Sequence, residues 1–331
     1  MAITGDLAKS YLERFPETPT LTLAKKLYKE NKEVFSSLDA ARLRLRYYRG
    51  QNGEQNRSNL ADDTFVVKAG TKSPFDNLPV GLTYFDEYKP YIIKGENILV
   101  IADTHIPYHS LEHLKIALQT GLDEDIDTIL LMGDIVDFYS VSFWEKDPRK
   151  RNFQYEINQL NLVLSIIREA FPNVTIIYMV GNHEERFERY LKVKAPELIN
   201  MEVLQFSRLI KSDELRITVI GDKRIVKIGR LNCIHGHEFG RSISSPVNPA
   251  RGLYLKGKEI AICAHFHQSS QHTEKSMTDS VISCWSLGCL CGLRPDYLPI
   301  NKWNHGFAII HKYSEKEFQV FNRRIINGKV Y

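Results

Sequence analysis

Five short polar stretches of the chain hold residues of the kinds that bind metal ions, and each directly follows an apolar run. The apolar runs have the length and composition of buried strands. The stretches are Asp103-Thr104-His105, Gly133-Asp134-Ile135-Val136-Asp137, Gly181-Asn182-His183-Glu184, His235-Gly236-His237 and Ala264-His265-Phe266-His267. Ligands of open α/β sheets bind outside the carboxyl ends of the strands, so these stretches can converge on one crevice.

The converging side chains would offer carboxylate and amide oxygens and imidazole nitrogens, without a thiolate. Such a donor set suits manganese, iron, zinc or nickel and disfavours an iron–sulfur cluster. It holds more ligands than one tetrahedral ion accepts. Two ions about 3.5–4 Å apart, bridged by a carboxylate, would use them all.

The order of the stretches resembles the calcineurin-like metallophosphoesterase superfamily, whose pattern is D-x-H, G-D-x-x-D, G-N-H-D/E, H and G-H-x-H. The resemblance covers about residues 95–325, and five motifs in order make it specific. The third motif and the N-terminal appendage are similar to uncharacterised phosphoesterases of phage and prophage. The resemblance implies that Asp103, His105 and His267 bind one metal, that Asp134 bridges both, that Asn182, His235 and His265 bind the second, and that His183 and Asp137 are catalytic.

The activity implied is that of a dinuclear-metal-dependent phosphoesterase hydrolysing a phosphomonoester or phosphodiester, with nucleic acid or nucleotide as the leading substrate. A metal-bridging hydroxide would attack phosphorus, and His183 would act as general acid. Asp137 would orient His183 and favour its charged form. The expected cofactors are two divalent ions, manganese first, with iron, zinc or nickel open. The alternatives are a phosphatase acting on protein or small molecules and a non-catalytic scaffold.

Three positions depart from the superfamily pattern. Ala264 replaces a glycine, where its methyl group should crowd the turn slightly, and Glu184 stands where many relatives have Asp. After Asp137 the chain continues with Phe138 and Tyr139, whereas protein serine/threonine phosphatases continue with Arg-Gly. The phosphate-clamping arginine of that subfamily is therefore missing at its expected place, which disfavours a protein phosphatase of that type.

The residues that contact the substrate are predicted from sequence features that are less specific than the metal-binding motifs. His237 either replaces His235 as a ligand or lies beside the substrate, and His235 is preferred because it directly follows the strand. Residues 138–153 combine aromatic and basic side chains, which suits stacking on nucleic acid or a loop packed on the core. The remaining candidates, each able to hold a phosphate through two hydrogen bonds, are Arg186, Arg241 and Arg251.

The catalytic domain is expected over residues 91–331, where strand and helix patterns alternate. Strands are predicted at 98–102, 128–132, 175–180, 231–234 and 260–263, and helices at 111–122 and 155–170. The fold class implied by the resemblance is α/β: a metallophosphoesterase sandwich of two facing mixed β-sheets flanked by helices, plus a small N-terminal helical module.

Residues 1–50 are expected to form that module, with helices predicted at 21–30 and 38–49. Arg42, Arg46 and Arg49 are predicted to share one face of the second helix, which could bind nucleic acid as in a helix-turn-helix. The connection between the helices is long for that motif, and a docking module with solvated arginines is the competing interpretation. Residues 51–90 predict a linker with a short strand at 64–68.

The composition narrows the class of protein. Of 331 residues, 43% are hydrophobic and 25% are charged, which excludes a wholly disordered chain. No apolar run could span a membrane, and no secretory signal is visible. A cytoplasmic location is therefore expected, in a bacterial host if the chain is phage-encoded, and the five cysteines are expected to be reduced. The net charge of +4 lies in residues 1–60, which hints at an anionic partner. The oligomeric state stays open.

Overall fold

A computed structural model describes residues 2–60, 64–66, 75, 78–79, 81, 88–144, 147, 149, 152–240 and 247–331. The chain divides into two compact units, Met1–Tyr84 and Phe85–Tyr331. Within the described residues, no helix is both long and apolar enough to cross a lipid bilayer.

The first unit is helical and has a hydrophobic core of its own. Its core includes Leu12, Leu23, Leu27 and Leu45, all nearly inaccessible to solvent. The third helix begins after Ser37, whose hydroxyl oxygen accepts a hydrogen bond from the amide of Ala40, as an N-cap residue does. The helices are α1 (Ala2–Arg14), α2 (Thr20–Glu30), α3 (Leu38–Tyr48) and α4 (Glu54–Ser58).

The helix α4 lies in the segment that was expected to be a linker. The strand predicted at 64–68 lies partly outside the described residues, and residues 64–66 form a turn. Phe65 packs against the helical core, so part of the expected linker belongs to the first unit.

The second unit contains two β-sheets. The seven-stranded sheet has the order β13-β12-β11-β2-β3-β4-β5, and the six-stranded sheet has the order β1-β6-β7-β8-β10-β9. The strands are β1 (Tyr91–Ile93), β2 (Asn97–Ile101), β3 (Thr128–Met132), β4 (Thr175–Met179), β5 (Ile217–Ile220), β6 (Val226–Ile228), β7 (Leu231–Cys233), β8 (Ala261–Cys263), β9 (Ser270–Lys275), β10 (Val281–Ser286), β11 (Gly306–Lys312), β12 (Phe318–Ile326) and β13 (Lys329–Val330).

The pairing brings the carboxyl ends of the motif-bearing strands to common edges. Strands β2, β3, β4 and β5 run parallel in register, and β11 pairs antiparallel with β2. In the other sheet β7 runs parallel to β8, and β8 runs parallel to β10. The polar stretches after β2, β3 and β4 therefore leave their sheet on one edge, and those after β7 and β8 leave theirs together.

Both faces of the seven-stranded sheet are buried. Ile98 and Val100 of β2 pack into the layer between the sheets, with Ile262 and Trp285 from the other sheet. Leu99 and other alternate residues face the helices instead, because side chains of a strand alternate between its faces. Helices α5 (Leu111–Asp123), α6 (Phe153–Ala170), α7 (Glu185–Lys194) and the short α8 (Phe206–Leu209) contribute to this outer layer, and α9 (Pro249–Gly257) packs on the outer face of the six-stranded sheet.

The expected fold class is confirmed: two mixed sheets face each other and are flanked by helices. The predicted strands and the two predicted helices of the second unit match observed elements to within a few residues.

Candidate metal centre

The five polar stretches occupy the turns that directly follow β2, β3, β4, β7 and β8. Their backbone is unusual, because five of the predicted ligands have φ between 49° and 68°. This left-handed conformation is unfavourable for residues with a side chain, by about 1–3 kcal/mol each, and clusters at functional sites. The five residues are Asp103, His105, Asp134, His265 and His267.

Two glycines allow the close approach of these turns. Gly133 has φ +86°, and a Cβ atom there would lie 2.5 Å from Nδ1 of His235. A Cβ atom on Gly181 would lie 2.5 Å from the backbone nitrogen of Asp134. A side chain at either position would push the motifs apart, which explains the glycines. Ala264 lies outside the left-handed region and is buried in the layer between the sheets, so its methyl group is accommodated.

One group of donor atoms comes from the first and last stretches. Nε2 of His105 lies 3.1 Å from Nε2 of His267, and the latter lies 3.3 Å from Oδ1 of Asp103. That carboxylate oxygen is buried and makes no hydrogen bond of good geometry. A buried anionic oxygen without a donor is costly, and a cation would satisfy it together with the two facing imidazoles.

A second group surrounds Asp134. Its Oδ2 lies 3.1 Å from Nε2 of His235, which lies 3.2 Å from Oδ1 of Asn182. Asp134 and His235 form one cluster of possible ligands with His265, and Asp134 forms another with Asp103 and His105. The carboxylate of Asp134 is therefore shared by both groups.

The electrostatics of the cluster favour added positive charge. Burial alone would raise the pKa of Asp134, but the facing His183 and His235 lower it well below its usual value. Burial would lower the pKa of His235 and of His267. Asp134 nevertheless raises the pKa of His235 to about 10, and Asp103 raises that of His267 to about 10. Protons on these imidazoles balance the buried carboxylates, and divalent ions would balance the same charges. The donor set thus fits a pair of divalent metal ions.

Three of the predicted imidazole ligands make a further contact through the ring nitrogen Nδ1. Nδ1 of His235 lies 2.9 Å from the carbonyl oxygen of Met132, and Nδ1 of His105 lies 3.1 Å from Oδ2 of Asp137. Nδ1 of His267 lies 3.8 Å from the sulfur of Cys291. Hydrogen bonds of this kind orient imidazoles toward a metal. The sequence favours an apolar packing role for Cys291, because the cysteines around it lack the spacing of a metal motif, and its contact with His267 was not predicted.

Glu184 has a structural role that its position in the third motif did not reveal. Its buried carboxylate accepts hydrogen bonds from the backbone amides of Asp134, Ile135, Val136 and Gly181, and from the hydroxyl of Tyr178. The side chain therefore joins the turn after β3 to the turn after β4. A glutamate has the length and the second oxygen that this double attachment uses.

His183 and Asp137 contact each other as expected, but the imidazole meets the main chain of Asp137 more closely than its carboxylate. Nδ1 of His183 hydrogen bonds to the main-chain oxygen of Asp137 at 2.9 Å, while its distance to the carboxylate Oδ2 is 3.5 Å. Arg186 donates to the same main-chain oxygen at 2.8 Å and to Nε2 of His183 at 2.8 Å. Burial, with smaller contributions from His105 and Arg186, lowers the pKa of His183, and this outweighs the opposite effects of Asp134 and of Asp137, both of which favour the charged ring.

Of the three remaining candidates, His237 lies next to the ligand cluster, with its ring centroid 5.4 Å from that of His235, Arg251 lies on another element, and Arg241 is not described. Nε2 of His237 lies 3.2 Å from Glu185, so His235 rather than His237 meets Asp134. Arg251 is exposed on α9, on the outer side of the six-stranded sheet. Arg241 lies outside the described residues.

The three arginines that were predicted to share one face of α3 have different surroundings in the structure. Arg42 is exposed, and Arg46 donates a hydrogen bond to the carbonyl oxygen of Gln51. Arg49 is only 5% exposed and donates to Thr20 and to the carbonyl oxygen of Pro16. Arg49 follows the buried Leu45 by four residues, so helical periodicity places it toward the core rather than on the exposed face.

The match with known proteins agrees with this geometry. The family profile described as Calcineurin-like phosphoesterase (Metallophos) matches residues 96–283, which is more than half of the chain. The chain belongs to the calcineurin-like phosphoesterase family.

Two curated relatives are phage proteins. The Gene 54 protein of Mycobacterium phage L5 is 25% identical over 229 residues, covering 65% of this chain and 89% of the relative. The Gene 54 protein of Mycobacterium phage D29 is 27% identical over 180 residues, covering 53% of this chain and 70% of the relative.

Solved structures with similarity include a Vps29 single mutant from Entamoeba histolytica, with 14% identity and a TM-score of 0.37, covering 71% of this chain and 96% of that chain. A dimetal phosphatase from Danio rerio has 13% identity and a TM-score of 0.35, covering 71% of this chain and 99% of that chain.

Proposed function

We propose that the chain is a dinuclear-metal-dependent phosphoesterase that hydrolyses a phosphomonoester or phosphodiester. The observation that carries the proposal is the shared position of Asp134, whose carboxylate belongs to one cluster with Asp103 and His105 and to another with His235 and His265. A carboxylate placed between two ligand groups suits a pair of divalent ions.

The proposed ligands divide into two sets around Asp134. Manganese is the ion we propose for the assay, with iron, zinc or nickel as alternatives in the cell. Two divalent ions bound here would supply an activated water molecule and neutralise charge on the phosphoryl oxygens. The ligands are Asp103, His105 and His267 for one ion, Asn182, His235 and His265 for the other, and Asp134 for both.

His183 would protonate the leaving oxygen. Its Nε2 lies 3.7 Å from Oδ2 of Asp134, while Nδ1 is held by the main-chain oxygen of Asp137. A phosphoryl anion bound beside the ring would favour the charged imidazole, which burial otherwise disfavours. Arg186 would hold a phosphoryl oxygen after releasing Nε2 of His183.

The test is hydrolysis of p-nitrophenyl phosphate and bis-p-nitrophenyl phosphate by the purified full chain, with and without added Mn²⁺. Metal content is measured on the same sample, and Asp134→Asn serves as the control. Metal-dependent turnover that disappears in Asp134→Asn supports the enzyme, and the ratio of the two substrates distinguishes a monoesterase from a diesterase. Absence of both metal and turnover would favour a non-catalytic scaffold.

Nucleic acid is the substrate class we favour over protein or small molecules. Residues 1–60 carry an excess of four positive charges, and Arg42 is exposed on α3. Binding of DNA by the full chain should therefore weaken with salt and weaken further in Arg42→Ala. The phage relatives support action in the cytoplasm of a bacterial host.

A further inference from the structure

A wide groove opens beside the metal centre. Its volume is about 1530 Å³, and its lining includes the proposed ligand Asn182 together with Arg186. Pockets for small molecules occupy about 300–1,000 Å³. The groove is therefore larger than a small phosphate ester requires, and it borders the metal centre at Asn182.

One wall of the groove carries two exposed aromatic side chains. Phe143 and Trp144 are 65% and 64% exposed, and their ring centroids lie 4.8 Å apart at an angle of 58°. The guanidinium of Arg189 lies 5.3 Å from the centre of the Phe143 ring. Neighbouring large aromatics left in water beside a reacting centre indicate a surface that meets a partner.

Helix α7 also lines the groove and supplies cations. Lys192 is paired with Glu188 at 2.7 Å, and Lys223 lies 3.8 Å from Glu185. Arg189 and Lys194 also line the groove, and no carboxylate among the described residues lies within salt-bridge distance of either. These two cations remain available for anionic groups of a ligand.

On the basis of the proposed phosphoesterase function, we propose that this groove binds single-stranded nucleic acid, with a base stacked on Trp144 and backbone phosphates beside Arg189 and Lys194. Each nucleotide unit carries one planar base and one phosphate, and the groove offers aromatic faces and free cations in the same space. A phosphodiester of the bound strand would then reach the metal centre.

The reaction at that centre is hydrolysis. A P–O bond forms to the oxygen of water, the P–O bond to the departing sugar oxygen breaks, and that oxygen leaves with a proton. No oxidant or reductant takes part.

The experiment compares wild type with Trp144→Ala on two substrates, using the full chain with Mn²⁺. One substrate is a mixed-sequence single-stranded oligodeoxynucleotide, and the other is an abasic oligonucleotide of the same length. Trp144→Ala should lower kcat/KM on the first roughly 5- to 100-fold, as expected for losing one base–aromatic stack, and leave the second unchanged. Tyr313→Ala is the matched control, because Tyr313 is 65% exposed and follows β11 at the opposite end of β2 from the ligands.

Binding is measured separately by fluorescence anisotropy of the labelled oligonucleotides in EDTA. Trp144→Ala should weaken binding of the base-bearing strand by a similar factor, with an unchanged circular dichroism spectrum and thermal midpoint. Equal affinity of wild type and Trp144→Ala for that strand would overturn the proposal. Tryptophan-dependent binding of a phosphopeptide instead of the oligonucleotide would overturn it as well.

The two assays distinguish this proposal from the underlying one. Hydrolysis of bis-p-nitrophenyl phosphate without Trp144-dependent action on the oligonucleotide would refute the groove's role and leave the phosphoesterase intact. Tryptophan-dependent binding without hydrolysis of any substrate would support the groove and refute the phosphoesterase.

Discussion

Nη2 of Arg186 lies 2.8 Å from Nε2 of His183, the nitrogen proposed to protonate the leaving group. A guanidinium nitrogen only donates hydrogen bonds, so Nε2 must accept here and the ring proton must lie on Nδ1, facing the main-chain oxygen of Asp137. His183 therefore cannot act from Nε2 until Arg186 turns away. A phosphoryl oxygen of the substrate is the natural acceptor for the released guanidinium.

Replacing Arg186 by alanine should lower kcat/KM about 10- to 100-fold, because a charge-assisted hydrogen bond contributes about 1.5–3 kcal/mol. Arg186→Lys keeps the charge but loses the planar pair of donors, so it should recover only part of the loss. Steady-state kinetics with metal analysis would measure both. Wild-type kinetics in Arg186→Ala would remove Arg186 from the substrate site.

Replacing His183 by alanine should retain both metals and lose most turnover. The loss should be larger for substrates with poor leaving groups, because only these need a proton as the bond breaks. Rates on a series of aryl phosphates of increasing leaving-group pKa, in wild type and His183→Ala, would show the difference. If the two enzymes give parallel series, His183 is not the general acid.

Glu184→Gln should lower the free energy of unfolding by at least about 1–3 kcal/mol, because an amide NH₂ would face backbone N–H groups that now donate to the carboxylate. Tyr178→Phe removes one hydrogen bond to the same carboxylate and should cost only about 0.5–1.5 kcal/mol. Urea unfolding of both variants in EDTA would give the values. A smaller loss in Glu184→Gln than in Tyr178→Phe would contradict the role of Glu184 as a clamp.

Cys291→Ala should weaken the binding of one metal ion about tenfold, because it removes the partner of Nδ1 of His267. Cys284→Ala is the matched control, since that thiol is also buried but contacts the carbonyl oxygen of Glu259. Competition of each variant with a metal-binding dye would measure the affinities. Equal affinities in the two variants would show that Cys291 does not orient His267.

A pH dependence is expected from Glu156, which accepts hydrogen bonds from the backbone of Tyr139 and Ser140 after the second motif. Burial raises the pKa of Glu156, so the folded state binds its proton more tightly than the unfolded chain does. Its contribution to stability is therefore present at low pH and is lost as the pH rises through the folded pKa.

The free energy of unfolding of wild type relative to Glu156→Gln should accordingly fall as the pH is raised from about 4.5. Glu169→Gln, at an exposed position of the same helix α6, serves as the matched control. Urea unfolding at several pH values would give both series. A difference that grows with pH would have the opposite sign and refute the assignment.

The sequence by itself predicted the five motif-bearing strands of the second unit and the types of the candidate metal-binding residues that follow them. The run predicted at 98–102 is observed as β2 (Asn97–Ile101), and Asp103 and His105 follow it directly. Buried strands and the turns after them are local patterns, so a short stretch of chain is enough to specify them. Family motifs placed at the ends of these strands then indicated the centre.

The contacts that tune the centre were decided only by the tertiary structure. The carboxylate of Asp137 lies closer to His105 than to His183, Cys291 lies behind His267, and Arg49 points into the helical core. These partners come from separate turns, loops and helices, so they meet only when the sheets and helices have packed. Burial and neighbouring charge then set the hydrogen bonds and pKa values, and neither can be read from a local pattern.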